Sequence, residues 1–518
     1  MSAETEHRDP HQARSPAQPA AATRLSLWPV AVAGGLLAVL VATSGRYGYH
    51  RDELYFIAAG GHPAFGYPDQ PPLVPLLCKA MQQLAPGSLM VLRLPSALAA
   101  AATAVVAALI SRELGGAARA QILAASGTAA SAITLATGHF VTTTTFDLLS
   151  TTVLCWLIIR AVTRRSGPNL LAAGIAVGIG AELKPQVGLV AVIILVALAL
   201  AGPRWPLRSP WLAEGVAAAV VLAAPYVMWQ ATHGWPQLTV AANIGGSAEG
   251  GRAGFLPFQL VLVGPLLVPI WIVGLLAPYR VPSLRPVRFL SVTYLALAVL
   301  YLAGDGKAYY LASLYPALLG VGAIPVADWA LRRPARVADR VAHGLRTMVL
   351  VAAVVVSAAI SGFVTLPLLP AADLRGSVIL ALDPYQAETV GWPEFVHAVA
   401  AAWQSIPAAE RTNSVIVTDN YGEAGAIDLL GRRSGLPRAY SGHNGYANWG
   451  QPPATSTRVL LVGYDSPAAI ARAFIDCVND GRVENAASLD NQERGLPLLL
   501  CRPARPWPQL WPSLTHFG

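Results

Sequence analysis

The sequence predicts a mainly α-helical polytopic membrane domain of about 11 spans, followed by a small exported α/β domain. Three observations carry this. Of 518 residues, 54% are hydrophobic and 12% charged, against about 25% charged in an ordinary soluble chain. The apolar residues gather into runs of about 20, long enough to cross the hydrocarbon of a bilayer. After residue 372 such runs stop, and Asp, Asn and Gly return to globular proportions. This composition excludes a disordered chain, a collagen-like chain, a disulfide-rich small protein and an ordinary cytosolic enzyme.

Residues 1–24 form a polar tail rich in Pro, Ala and charge, without the apolar core of a signal peptide. It reads as a disordered cytoplasmic segment. The membrane domain is expected over 25–372, with apolar runs near 26–44, 92–110, 118–137, 146–162, 168–181, 185–202, 211–230, 258–278, 287–303, 308–325 and 346–368. One set of connections carries Arg112, Arg119, Arg160, Arg164, Arg165, Arg204, Arg208, Arg280, Arg285 and Arg288, then Arg332, Arg333, Arg336, Arg340 and Arg346. The tail adds Arg8, Arg14 and Arg24. Positive charge stays inside, so the N-terminus is expected in the cytoplasm and the C-terminal domain, 373–518, outside a cytoplasmic membrane. These arginines account for the net charge of +8 through topology and contact with membrane lipid. No soluble basic face calls for nucleic acid.

Cys477 and Cys501 both fall in the exported domain, where an oxidising compartment favours a disulfide. In that domain 414–419 and 458–465 read as strands, each followed by a helix (423–431 and 467–476), with 498–501 as a third strand. Asn420, Tyr421, Glu423, His443, Asn444 and Trp449 fall at strand ends and loops, where ligands of such sheets bind. Turn chemistry would use the same residue types.

The chemistry gathers in the first outer loop, 45–91. Asp52 and Glu53 are adjacent acids on an expected short helix, 52–59, that also carries Tyr55. Asp69 stands in YPDQPPL, where Pro71 and Pro72 stiffen the chain. His139 and Asp147 flank VTTTTF at the outer start of a span. Such polar residues at a membrane edge are candidates for lining a cavity. The chain has only three lysines, Lys79, Lys184 and Lys307, all at outer positions. Lys184 could equally pair with Glu182. Residues 231–257 read as a mobile glycine-rich loop, either a lid or a connector. A carboxylate can act as general base toward a hydroxyl or amine, and an ammonium can hold a phosphate leaving group. Together they suit group transfer from a phospholipid-linked donor.

The stretches HRDELYF, YPDQPPLVPLL, RLPSALAA, GIGAELKPQ and GDGKAYYLASLYPALL, in this order, resemble the polytopic glycosyltransferases called GT-C. The nearest branch is the protein O-mannosyltransferase and lipid A aminoarabinose transferase-like group, family 39/83 style. The resemblance implies a polyprenyl-phosphate sugar donor, inverting transfer outside the cytoplasmic membrane, and an envelope acceptor that is protein, lipid or glycan. It makes Asp52 the base and Glu53 its partner, and Asp69 the acid before Pro-Pro-Leu. Lys184 and Lys307 match basic positions for donor phosphate, with Arg51 a third candidate. Aminoarabinose transferases usually carry a lysine just before those prolines; Gln70 stands here instead, which argues against that reaction. His139, Asp147, Tyr55, Asn420, Glu423, His443 and Asn444 remain candidates for contacting substrate. No cofactor is certain: a divalent metal stays open, yet no full ligand set is visible. Two rivals are a transporter or flippase of lipid-linked sugar and a non-catalytic envelope scaffold. The first predicts internal repeats and midplane charges, and the sequence shows no repeat.

Overall fold

A computed structural model describes residues 22–245, 251–331 and 339–518. Arg8, Arg14, Gly246, Gly250, Arg332, Arg333 and Arg336 lie outside the described residues. Every expected apolar run falls on a helix or a bent helix pair. Six helices are long and apolar enough to cross a membrane: Leu89–Glu113, Thr143–Arg164, Pro210–Thr232, Pro282–Ala303, Ala308–Leu331 and Arg340–Thr365. Among the described residues, two bent pairs are apolar enough only when taken together, Ala118–Ala130 with Ala132–His139 at 58° and Gly251–Val263 with Pro265–Arg280 at 86°, each a broken span or a re-entrant loop. The sharper bend has a local cause. Gly264 takes φ 97°, open to glycine, and Pro265 follows it, unable to continue the hydrogen-bond ladder. Trp28–Thr43, Pro168–Ala181 and Gln186–Ala201 are shorter apolar helices.

Several of these helices leave apolar faces uncovered by protein. The hydropathic window of Pro210–Thr232 is 11% buried and that of Arg340–Thr365 28%, with Val220, Val221 and Met228 each more than half exposed. Such surfaces suit lipid and would be costly in water. Thr23 and Arg24, expected in the disordered tail, are ordered: the Gln121 amide donates to Thr23 Oγ1 at 3.1 Å and to the Arg24 carbonyl at 3.0 Å. The stretch 231–257 also departs from expectation. Helices Pro236–Gly245 and Gly251–Val263 occupy most of it, so it is not a long irregular loop.

The C-terminal domain is built on a five-stranded sheet: β1 Ser414–Thr418, β2 Ala439–Ser441, β3 Arg458–Val462, β4 Phe474–Arg482 and β5 Pro497–Pro503, in spatial order β2-β1-β3-β5-β4. β1 runs parallel to β2 and β3, while β5 is antiparallel to β3 and β4. The helix expected over 467–476 stops at Ala473, and Phe474 opens β4. β2 was not anticipated, because three residues carry no periodicity. Cys477 and Cys501 are joined as a disulfide between β4 and β5.

This domain shares one core with the first long loop. Leu54, Tyr55 and Phe56 pack in the same cluster as Phe395, Ile416, Ile427 and Leu460. The contact is close because helix Tyr421–Leu430 presents glycine to helix Arg51–Gly60. A Cβ added at Gly422 would lie 2.8 Å from Arg51 Cβ, and one at Gly425 would lie 2.9 Å from the Leu54 backbone.

One buried ion pair ties the loop to the helical region. Arg93, 1% exposed, reaches Glu53, 0% exposed, with Nε to Oε1 and Nη2 to Oε2 both at 2.8 Å. Arg93 also donates to the Ser44 and Gly48 carbonyls at 2.7 Å. Glu53 accepts from the His50 and Val141 amides at 2.9 Å. Removing one partner of such a pair strands a buried charge and costs about 3–5 kcal/mol. Glu53→Gln and Arg93→Leu are each expected to lower the unfolding midpoint sharply in detergent. An unchanged midpoint in both would show that the pair does not hold the fold.

Candidate functional site

Helix Arg51–Gly60 starts at His50, whose side chain accepts from the Asp52 amide at 3.2 Å while Glu53 caps the His50 amide. Consecutive helical residues point about 100° apart, so the acidic pair divides. Glu53 turns inward to Arg93. Asp52 turns toward open space and keeps 32% of its side chain exposed.

Asp52 Oδ1 accepts a hydrogen bond from the Tyr421 hydroxyl at 2.9 Å. Its other restraints are longer: Arg51 Nε to Oδ1 at 3.8 Å and His50 Nδ1 to Oδ2 at 3.9 Å. Desolvation pushes the Asp52 carboxyl up, but His50, Arg51, the Tyr421 hydrogen bond and Lys307 outweigh it, and the net direction is down. Burial lowers His50, whose ring stacks on Phe140 at 4.7 Å. Arg51 donates to Gln492 and lies in the field of Tyr421, Asp52, Glu388 and Glu493. Its charge is therefore largely engaged by acids.

Tyr55 and Tyr421 link Asp52 to Asp69. The Tyr55 hydroxyl donates to Asp69 Oδ1 at 2.7 Å and accepts from the Gly445 amide at 3.0 Å. Its ring lies 4.6 Å from that of Tyr421. Burial raises Asp69 to about 7, with the Tyr55 hydrogen bond opposing and Asp52 adding to the rise.

The lysines gather around a tyrosine pair. Lys184 Nζ lies 5.5 Å and 5.0 Å from the ring centres of Tyr309 and Tyr310, and Lys307 Nζ lies 6.0 Å from Tyr309. Both cations thus lie within cation–π reach of the Tyr309 ring. Lys184 donates to Thr144 Oγ1 at 3.1 Å and pairs with Asp147 at 3.7 Å, so its partner is Asp147 and not Glu182. Asp147 also accepts from Thr151 at 3.1 Å. His139 is buried, its ring edge-on to Phe140 at 6.1 Å.

The C-terminal candidates do mostly structural work. Asn420 caps helix Tyr421–Leu430, accepting from the Gly422 and Glu423 amides, and Glu423 caps Asn420 in return. Burial first, then Glu493 and Asp419, drives Glu423 well above its ordinary value. Asn444 accepts from the Gly518 amide at 3.0 Å. His443 stacks 4.7 Å from Tyr421 and 4.4 Å from His516; burial, with His516 and Arg51, pushes it down to about 3. Among the described residues no three His, Cys, Asp or Glu groups are placed to hold a metal ion.

Sequence reasoning passed over Arg93, Tyr309 and Tyr310 as site residues, although RLPSALAA and GDGKAYYLASLYPALL contain them. Glu388, Gln492 and Glu493 around Arg51 carried no sequence signal, being more than 300 residues distant in the chain.

Residues 69–229 match the family model described as dolichyl-phosphate-mannose-protein mannosyltransferase. No curated protein sequence matches the chain. Among solved structures it is similar to ArnT from Cupriavidus metallidurans bound to undecaprenyl phosphate, with 15% identity, 92% of this chain and 98% of that chain covered, and TM-score 0.56. It is similar to the oligosaccharyltransferase AglB from Archaeoglobus fulgidus in complex with an inhibitory peptide and a dolichol-phosphate, with 14% identity, 86% and 70% covered, and TM-score 0.52. It also resembles the arabinofuranosyltransferase AftD from Mycobacteria, with 14% identity, 94% and 41% covered, and TM-score 0.52. The resemblance to GT-C glycosyltransferases thus holds in sequence over the matched segment and in fold over most of the chain.

Asp69 gives this site a pH signature. A carboxyl raised to about 7 in the fold makes the native state bind more protons than the unfolded chain between roughly pH 4 and 7, so stability falls as pH rises through that window. Asp69→Asn removes the effect. Relative to wild type, the variant is expected to gain thermal stability as pH is raised from about 5 to 8. A pH-independent difference would place Asp69 in the ordinary carboxylate range.

Proposed function

We propose that this chain is an integral-membrane glycosyltransferase. It transfers a sugar from a polyprenyl-phosphate donor to an acceptor at the outer face of the cytoplasmic membrane, with inversion at the anomeric carbon. The observation that carries the reading is a part-exposed carboxylate, Asp52, whose charge Lys307 supports, together with two lysines gathered at the Tyr309 ring. Lys307 contributes to drawing the Asp52 carboxyl down, which supports reading Asp52 and Lys307 as parts of one site. The match to the mannosyltransferase model over 69–229 and the fold shared with proteins solved with undecaprenyl phosphate and dolichol-phosphate support a donor of that kind.

In this reaction Asp52 takes the proton of the acceptor hydroxyl or amine as that atom attacks the anomeric carbon. The bond from that carbon to the phosphate oxygen breaks, and the electron pair leaves with the polyprenyl phosphate. The new negative charge needs cations rather than an acid. Lys184 and Lys307 supply them, and their tyrosine surround reduces competition from water. Glu53 is committed to Arg93 and acts by aiming helix Arg51–Gly60. Arg51 holds the loop against Gln492 and the surrounding acids rather than gripping phosphate. Asp147 keeps Lys184 in place, and Asp69 with Tyr55 borders the sugar side.

Membranes containing equal amounts of wild type, Asp52→Asn or Lys307→Gln would be incubated with radiolabelled undecaprenyl-phosphate mannose, glucose and arabinose. Wild type is expected to move label from one donor into an envelope fraction. Asp52→Asn is expected to lose about 10²–10⁴-fold in rate. Lys307→Gln is expected to slow turnover by about tenfold or more. Undiminished transfer by Asp52→Asn would remove Asp52 as the base.

A further inference from the structure

Asp52 carries a restraint that its own helix does not supply. The nearest charged groups on that helix turn stand 3.8 and 3.9 Å away, beyond hydrogen-bond distance, and a third of the side chain is open. A group from the C-terminal domain holds it at hydrogen-bond distance, the Tyr421 hydroxyl, 369 positions further along the chain. We propose that Tyr421 is a positioning residue for transfer: its hydroxyl fixes the Asp52 carboxylate in one orientation, so the C-terminal domain completes the active site. This rests on the reading of Asp52 as the base.

Tyr421 is itself held on every side. It opens a helix whose first turn is capped reciprocally by Asn420 and Glu423. Its ring lies between Tyr55 at 4.6 Å and His443 at 4.7 Å, and His516 backs His443 at 4.4 Å. Gly422 lets the helix approach Arg51 to a separation that any side chain would forbid. A hydroxyl on such a mount returns to the same place after each turnover, and orientation of this kind is a large part of what a positioned base contributes.

The hydrogen bond also distinguishes the two carboxylate oxygens. Oδ1 accepts from Tyr421 and faces Arg51. Oδ2 faces His50 Nδ1, an atom already accepting from the Asp52 amide and so not a donor to it. With Oδ1 engaged by Tyr421, the acceptor's proton goes to Oδ2 in this proposal.

The test is Tyr421→Phe in the full-length protein, which keeps the ring stack and removes only the hydroxyl. Tyr440→Phe on β2 serves as neutral control. Two measurements are needed. The first is the pH profile of transfer from whichever of the three undecaprenyl-phosphate sugars is active. The second is the pH dependence of carbodiimide labelling of Asp52, read by peptide mass spectrometry, which needs no donor. The charged and titratable groups facing Asp52 are His50 and Arg51 beside it, and Tyr421 and His443 from the C-terminal domain. Asp69, Glu388, Lys307 and Tyr309 face it from the other packed segments. Only Tyr421 changes.

The expected result is a kcat lowered by about tenfold, donor KM altered by less than about twofold, and the acid limb moved to higher pH, because losing the hydrogen bond makes the carboxylate easier to protonate. The labelling midpoint is expected to rise by about half a unit or more, with an unchanged unfolding midpoint. An unmoved acid limb and labelling midpoint would overturn the positioning role while leaving Asp52 as base if Asp52→Asn is inactive. Full activity in Asp52→Asn would overturn the base itself, and labelling would then report only whether the hydrogen bond exists. If no donor is used, an unmoved labelling midpoint still overturns the proposal.

Discussion

The structure depends on one buried contact, the ion pair between Arg93 and Glu53. It brings together the end of helix Trp28–Thr43 through the Ser44 carbonyl, the loop at Gly48, helix Arg51–Gly60 through Glu53, and the approach to Thr143–Arg164 through the Val141 amide. All these groups are satisfied, which is the condition under which a buried charge pair is tolerated. The pair also decides what its neighbour can do. With Glu53 drawn inward, helical geometry turns Asp52 outward, toward the Tyr421 hydroxyl. An acidic dipeptide thus becomes one buried, ion-paired carboxylate and one part-exposed carboxylate, the proposed base, a division set by burial and not by residue type.

A second constraint is the polarity of the proposed site, where Asp147 holds Lys184 and Tyr421 holds Asp52. Carboxylates and tyrosines gather between the first long loop and the C-terminal domain. The lysines stand beside Tyr309 and Tyr310, at the ends of apolar helices. Transfer from a lipid-linked donor needs this polarity: the proton goes one way and the leaving phosphate the other. The close packing of helix Tyr421–Leu430 on helix Arg51–Gly60, permitted by Gly422 and Gly425, makes the two halves one site.

Much of the helical architecture was legible in the sequence because a long apolar run has few other meanings. Each expected run met a helix or bent pair, though six of the helices alone are long enough to cross by themselves. The 86° bend was hidden because hydropathy does not register direction. The strands β1, β3 and β5 could be read from buried β-branched and leucine runs; β2 and β4 could not, being very short and largely exposed respectively. In the site, Asp52, Lys184 and Lys307 stand out by type and position. The roles of Asn420 and Glu423 did not, since an Asn-x-x-Glu cap and a polar ligand-binding pair look alike in one dimension. Arg93 looked like one more loop arginine until its partner was placed. Lys184 seemed suited to Glu182 because sequence neighbours are easy to pair by eye, whereas the fold brings Asp147 to it from another helix.

The most direct test of the central claim is a structure of the full-length protein in lipid nanodiscs with undecaprenyl phosphate. The account predicts the phosphate within ion-pair distance of Lys184 and Lys307, beside Tyr309 and on the side of the site that Asp52 faces. A phosphate bound elsewhere, with both lysines unchanged in their contacts, would contradict it.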